Sequence, residues 1–398
     1  MGDTELAIDR GDVVLRGAAT GRGPTVLLLH AGGERRQVWD PVASVLRHHG
    51  LRAVAFDLRG HGETGGPPGD LPRLAADVTA MIAGLDRPVA VVGASLGGLA
   101  AMAALADPPT AHHISGLVLV DVVPDSDPVR TRAWLARHGL DAGRHAVVDD
   151  ILGRGPALRA TVAATDVPIL LVRGGTGSPL TDRDALRLLA ANPRVHVSST
   201  PGAGHLVARD EPLQLAAIIA ECAARWAALA LQRSLGAASL AHPGGMLLAH
   251  VERVHALTAA WDAPPPTQLA ALCHATYGTD GFPHALLPPT RRERLAEVIG
   301  DEAEAIVYAY GACDRAHTYA HLGRDPLPLH DRFTGEVTPL TGPDLAAHAL
   351  LTIANELDVA RHASLPAGTT RQLRALVEGL APHAPGAAAV ALHDPVLT

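Results

Sequence analysis

The stretch that decides the fold runs from Pro88 through Val89-Ala90-Val91-Val92-Gly93-Ala94-Ser95-Leu96-Gly97-Gly98 to Ala106. Its opening residues, Val89 to Val92, are apolar without alternation, as a parallel strand covered on both faces requires. Gly93 and Gly97 flank Ser95 in a G-x-S-x-G pattern. They let the chain turn sharply and hold the serine in a strained conformation at the strand's carboxyl end. A run of good helix formers follows at once. Strand, tight turn and helix around an exposed serine hydroxyl make a nucleophile elbow, and this context carries the reading, because five residues alone are a weak signal.

On either side of this stretch the same alternation of elements repeats. Residues 5 to 17 alternate polar and apolar as an antiparallel edge hairpin would. Strands are predicted at Pro24 to Leu29, Leu51 to Phe56, Gly116 to Val122, Val167 to Val172 and Arg194 to Ser199, with an amphipathic helix at Leu71 to Leu85. Strands alternating with helices imply an α/β fold, a doubly wound, mostly parallel sheet. Between Asp121 and Val167 a short cap is expected over about 124–166, with one helix near Pro128 to His138.

Four blocks then carry a resemblance: His30-Ala31-Gly32-Gly33 after the third strand, Asp57 to Thr64 (DLRGHGET) after the fourth, the elbow, and Gly202-Ala203-Gly204-His205-Leu206-Val207 near the end. Residues 1–232 resemble the α/β-hydrolase superfamily. The resemblance implies that Ser95 is the nucleophile and His205 its general base. The chemistry agrees, since a serine hydroxyl is a poor nucleophile until an imidazole takes its proton. The resemblance also implies an oxyanion hole from the backbone N–H groups of Gly32 and Leu96. It leaves the acid open: the usual position after the strand at Val167 to Val172 falls on Ser178, so Asp121, ending the preceding strand, and Asp182, at a helix start, are the two candidates. The implied activity is cleavage of an ester, thioester or lactone through an acyl-enzyme, without a cofactor.

Composition sets bounds. The 398 residues suggest two domains. A net charge of −8 argues against a nucleic-acid partner and leaves a small-molecule substrate. No lysine occurs, which excludes Schiff-base, pyridoxal-phosphate and P-loop chemistry. No uncharged apolar run near 18 residues is evident, so no membrane span is expected. Three widely spaced cysteines fit a reducing cytoplasm.

After a helix at 212–232 and a small-residue linker at 233–245, residues 246–398 are expected to form an all-helical second domain. Its helices are predicted at Met246 to Trp261, Gln268 to Thr276, 290–299, 301–313, 343–361 and 370–380. His250, His274 and the later Asp314 are ordered as in a diverged HD-type metal-binding bundle, which the domain resembles, although Ala275 stands where that family has an aspartate. The resemblance implies a divalent metal on His250, His274 and Asp314, with poor phosphohydrolysis because a bridging carboxylate is lost. A metal-dependent enzyme in this domain and a non-catalytic helical interaction module are the alternatives to a serine hydrolase as the main activity.

Overall fold

The structure, a computed structural model, describes residues 4–86, 88–140, 145–363 and 368–397. The chain divides into two compact units, Met1–Ala227 and Ala228–Thr398. The first is built on an eight-stranded sheet: β1 (Thr4–Asp9), β2 (Val14–Thr20), β3 (Thr25–Leu29), β4 (Arg52–Phe56), β5 (Val89–Ala94), β6 (Ile114–Val120), β7 (Ile169–Gly174) and β8 (Val195–Thr200). Their order is β1-β2-β4-β3-β5-β6-β7-β8. The hairpin β1–β2 and the β2–β4 pair are antiparallel, and the remaining pairs are parallel. This is the α/β-hydrolase arrangement expected from the sequence.

Every residue of β3 and β5 is buried. Because side chains alternate across a sheet, Leu27, Leu29, Val89 and Val91 pack with Val78, Met81 and Ala100 on one face, while Val26, Leu28, Ala90 and Val92 pack with Val42, Leu46 and Ile219 on the other. Each such side chain contributes about 1.5–3 kcal/mol of burial, set against its ordering entropy. Gly116 shows how tightly the second layer sits: a Cβ there would lie 2.1 Å from the Trp226 ring.

Several expectations gain detail. Helix Pro212–Ser234 is long and apolar enough by composition to cross a membrane, although Glu221 and Arg225 interrupt any uncharged run. Its apolarity has a packing cause, since Leu215, Ala216, Ile219, Cys222, Ala223 and Trp226 cover the sheet. Besides the expected helix, here Pro128–Arg137, the described residues of the cap form helices His145–Gly153 and Gly155–Ala164, with residues 141–144 outside the described part.

The second unit is mostly helical, around Leu247–Ala260, Pro265–Cys273, Asp301–Ala312, Gly342–His362 and Thr369–Leu380. It is not purely so. Residues Leu327–His330 and Val337–Leu340 pair as an antiparallel hairpin, and Ala241–His242 pairs with Gly245–Met246 inside the expected linker. Unit 2 also takes in the end of helix Pro212–Ser234, where Ala228 and Leu229 share a core with Ala270, Leu272, Leu295 and Val307.

Candidate active site

Ser95 sits between β5 and helix Leu96–Ala104 with φ 46° and ψ −111°. Among the described residues only Ser95, Asp121 and Asp262 combine a side chain with positive φ. Two of the three therefore stand at the carboxyl ends of the neighbouring central strands β5 and β6. Such conformations cost about 1–3 kcal/mol and persist where the surroundings over-determine them. Here glycines do so: a Cβ on Gly93 would lie 2.5 Å from Gly98 Cα, and one on Gly97 would lie 2.5 Å from the Leu29 carbonyl oxygen. The elbow closes only without those side chains.

Asp121 is wholly buried, and its carboxylate has three partners. Oδ1 accepts the Gly174 N–H at 2.8 Å. Oδ2 accepts the Ser178 hydroxyl at 2.6 Å and meets His205 Nδ1 at 2.8 Å. The residue at the expected acid position, Ser178, thus serves as a donor to the carboxylate from the preceding strand. Asp182 is elsewhere: its side chain is 90% exposed and pairs with Arg173 at 2.7 Å. It is not a helix cap either, because Thr181 and Asp184 form a reciprocal capping box at that helix start. Asp182 therefore does not join His205.

His205 follows β8 in a loop pressed against the end of β7. The Gly175 N–H bonds the Ala203 carbonyl at 2.7 Å, and a Cβ on Gly174 would lie 2.0 Å from the Gly204 oxygen. From the cap, Trp134 packs edge-on to His205 with ring centroids 4.4 Å apart, its Nε1 donating to the Gly177 carbonyl at 3.0 Å. Sequence reasoning places Ser178 at the acid position but misses its role as donor to Asp121, and it misses Trp134, which belongs to no local pattern.

The His30–Gly33 loop lies beside the elbow, where a Cβ on Gly32 would be 3.6 Å from Leu96 Cδ2. Leu96 opens its helix, so its N–H belongs to the first turn, whose donors lack intrahelical partners. The DLRGHGET segment braces this loop. His30 Nε2 accepts the Leu58 N–H at 3.0 Å, His61 Nε2 accepts the Gly33 N–H at 3.0 Å, and Arg36 pairs with Asp57 at 2.6 Å. Burial holds the His30 imidazole neutral, its pKa pushed down to about 4, which keeps Nε2 an acceptor. Burial also raises the Glu34 carboxyl above its ordinary value.

Ser95, His205, Asp121, Gly32 and Leu96 line one cavity of about 300 Å³. Its walls are mostly apolar, with Leu74, Leu99, Val122, Leu135, Ile151 and Leu180 among them and His61, Ser126 and Thr131 as polar members. The buried Arg59, also in the lining, is already paired with Asp77 at 2.6 Å and Asp12 at 2.8 Å. A broader hollow of about 770 Å³ beside helix Leu71–Ala83 contains none of these groups.

A strained serine, an imidazole held by a buried carboxylate and a parallel sheet define the class, and the chain belongs to the alpha/beta hydrolase family, matching it over residues 26–218. It is a hydrolase. Esterase Rv0045c of Mycobacterium tuberculosis is 30% identical over 252 residues, a match covering 50% of this chain and 82% of that protein. Protein phosphatase methylesterase 1 of Bos taurus is 34% identical over 132 residues, 31% of this chain and 34% of that one, so the chain matches about a third of that relative's length. The solved structure of E-2-(acetamidomethylene)succinate hydrolase is similar with a TM-score of 0.47 at 21% identity, over 55% of this chain and 98% of that one. Residues 231–315 match a domain of unknown function, DUF6817.

In the second unit, His250 and His274 meet, their Nε2 atoms 3.2 Å apart. Asp314 does not join them. It caps the helix Arg315–Tyr319, its carboxylate accepting the His317 N–H at 3.1 Å and facing His317 Nδ1 at 2.8 Å. Among the described residues no group of three or more His, Cys, Asp or Glu side chains is arranged to hold a metal, so the set His250, His274 and Asp314 is not assembled. Asn355 and Asp358, both from helix Gly342–His362, hydrogen-bond to His250 instead. Ala275 is buried in a small apolar cluster with Ala237, Leu247 and Val251.

Proposed function

We propose that the first unit is a serine esterase in which Ser95 attacks the carbonyl carbon, His205 takes the hydroxyl proton and returns it to the leaving alcohol, and Asp121 fixes the imidazole tautomer. The observation that carries this reading is the 2.8 Å contact between His205 Nδ1 and Asp121 Oδ2, with Ser95 and His205 lining the same cavity. With Nδ1–H given to the carboxylate, Nε2 keeps its lone pair and serves as the base. The N–H groups of Gly32 and Leu96 supply the oxyanion site, where one donor is typically worth about 2.7–4 kcal/mol.

The cavity directs the substrate class. Its volume of about 300 Å³ and mostly apolar lining favour an ester with a short to medium, uncharged acyl group. Arg59 is committed to two aspartates, so it offers no free cation for an acidic acyl group. Esterase homologues support ester over thioester or lactone.

The test is hydrolysis of p-nitrophenyl esters of graded chain length by wild type and Ser95→Ala. Wild type should prefer short to medium acyl chains, and Ser95→Ala should lose on the order of 10⁴-fold or more in turnover. Equal rates for the two proteins would refute the assignment.

A further inference from the structure

His250 is wholly buried and His274 nearly so, on helix Leu247–Ala260 and at the end of helix Pro265–Cys273. Their hydrogen bonds assign a proton to Nδ1 of each ring. His250 Nδ1 faces Asp358 Oδ2 at 2.7 Å, and that carboxylate also takes the Arg253 guanidinium at 2.7 and 2.9 Å, so it is ionised and His250 Nδ1 donates to it. His274 Nδ1 faces the Ala271 carbonyl at 2.8 Å, which can only accept, so His274 Nδ1 also donates. With each ring neutral, both Nε2 atoms are lone pairs, 3.2 Å apart.

A third acceptor joins them. Asn355 Oδ1 lies 3.1 Å from His250 Nε2, while Asn355 Nδ2 donates to Glu356 Oε1 at 3.1 Å, which fixes the amide with its oxygen toward the histidines. Two acceptors, His274 Nε2 and Asn355 Oδ1, thus converge on a neutral His250 Nε2. Lone pairs at this distance repel unless a cation, either a proton or a metal ion, sits among them.

We propose that His250 Nε2, His274 Nε2 and Asn355 Oδ1 form the protein side of a mononuclear site for a divalent transition metal of the zinc type. The distances suit it. Two Zn–N bonds of about 2.05 Å spanning the 3.2 Å separation enclose about 103°, and a Zn–O bond of about 2.1 Å across the 3.1 Å separation gives about 97°. Behind the donors stand a carboxylate on one histidine and a backbone carbonyl on the other, the arrangement that orients metal-bound imidazoles and raises their basicity. Two imidazoles and a neutral amide select zinc, cobalt or nickel over magnesium or calcium, which prefer anionic oxygen ligands. His242 stacks on the His250 ring at 3.9 Å; a metal on Nε2 lies in the ring plane, so the stack leaves the site open. Three protein donors leave at least one coordination position for water or a ligand.

The experiment uses the tag-free full chain, stripped with EDTA and dialysed against Zn²⁺ or Co²⁺, with metal content measured per chain and the Co²⁺ form followed by its visible d–d bands. Wild type should bind close to one metal, and His274→Ala should bind none. Asn355→Asp, which adds a charge to the same donor set, should bind more tightly than wild type, an outcome a purely structural asparagine would not give. Asp358→Asn should weaken binding about 10–100-fold. Asp314→Ala and Ser95→Ala should bind as wild type, which separates this site from both the Asp314 set and the esterase chemistry. Should His274→Ala fail to fold, the tightening by Asn355→Asp and the Co²⁺ bands remain decisive. Wild type binding no metal above background would show that a proton on one imidazole satisfies the cluster, and would overturn the proposal, as would loss of metal in Asp314→Ala.

Discussion

Replacing Asp121 by asparagine isolates the step on which the hydrolase depends. The substitution is nearly isosteric at a buried site with three partners. The amide oxygen can still accept the Gly174 N–H, but the amide nitrogen then faces the Ser178 hydroxyl and His205 Nδ1 where a carboxylate oxygen stood. Two donors cannot face each other, so His205 turns to the tautomer with a bare Nδ1 and a protonated Nε2. That imidazole cannot take the Ser95 proton. The expected loss is about 10³–10⁴-fold in kcat/KM, about 4–5.5 kcal/mol of transition-state stabilisation. Ser178→Ala removes one hydrogen bond to the same carboxylate and leaves the tautomer intact, so its loss should be about 10-fold, in line with about 1.5 kcal/mol for a bond to a charged group. The exposed Asp182 should tolerate asparagine within about twofold, as a solvent-screened pair with Arg173 contributes little. Steady-state hydrolysis of p-nitrophenyl butyrate by the three variants, with folding checked by circular dichroism, decides the matter. A folded Asp121→Asn retaining a tenth or more of wild-type kcat/KM, or a larger loss in Asp182→Asn, would refute the reasoning.

Two further outcomes concern stability. Gly97→Ala drives a Cβ to within 2.5 Å of the Leu29 carbonyl, a backbone atom that cannot swing aside, and should cost about 1–3 kcal/mol in chemical denaturation while abolishing activity through the adjoining His30–Gly33 loop. His348 is buried with neither ring nitrogen hydrogen-bonded among the described residues, and burial pushes its pKa from 6.5 down to about 4. Its folded value is depressed, so the unfolded chain binds the extra proton between pH 6.5 and about 4, and stability falls through that window as pH falls, by roughly 1.4 kcal/mol per pH unit from this residue. His348→Leu should raise stability at neutral pH and flatten that slope; an unchanged slope in thermal melts across the window would count against a neutral buried imidazole.

The parts of the hydrolase unit legible in sequence were those whose causes are local. Unbroken apolar runs mark β3 and β5 because both faces of those strands are covered, and the Gly93–Gly98 spacing marks the elbow because a side chain at those glycines collides with backbone. The acid was only half legible. Asp121 and Ser178 are 57 residues apart and His205 lies 84 beyond Asp121, so no short pattern reveals that the three share hydrogen bonds. Asp182 drew attention as a helix-start residue, yet the capping box uses Thr181 and Asp184, one residue before it and two after. In the second unit, order along the chain points to Asp314 beside His250 and His274, whereas helix Gly342–His362 brings Asn355 and Asp358 to His250 across more than a hundred residues. The hairpin of Leu327–His330 and Val337–Leu340 carries no strand signal in sequence, because Pro326 and Pro328 stand beside and within its first strand.

The central claim is that Ser95 is an activated nucleophile, and intact-mass analysis after treatment with a fluorophosphonate tests it most directly. Wild type should gain one adduct per chain, mapped by peptide sequencing to Ser95, with labelling slowed in Asp121→Asn and absent in Ser95→Ala. Equal labelling of wild type and Ser95→Ala, or an unlabelled wild-type protein that is folded, would contradict it.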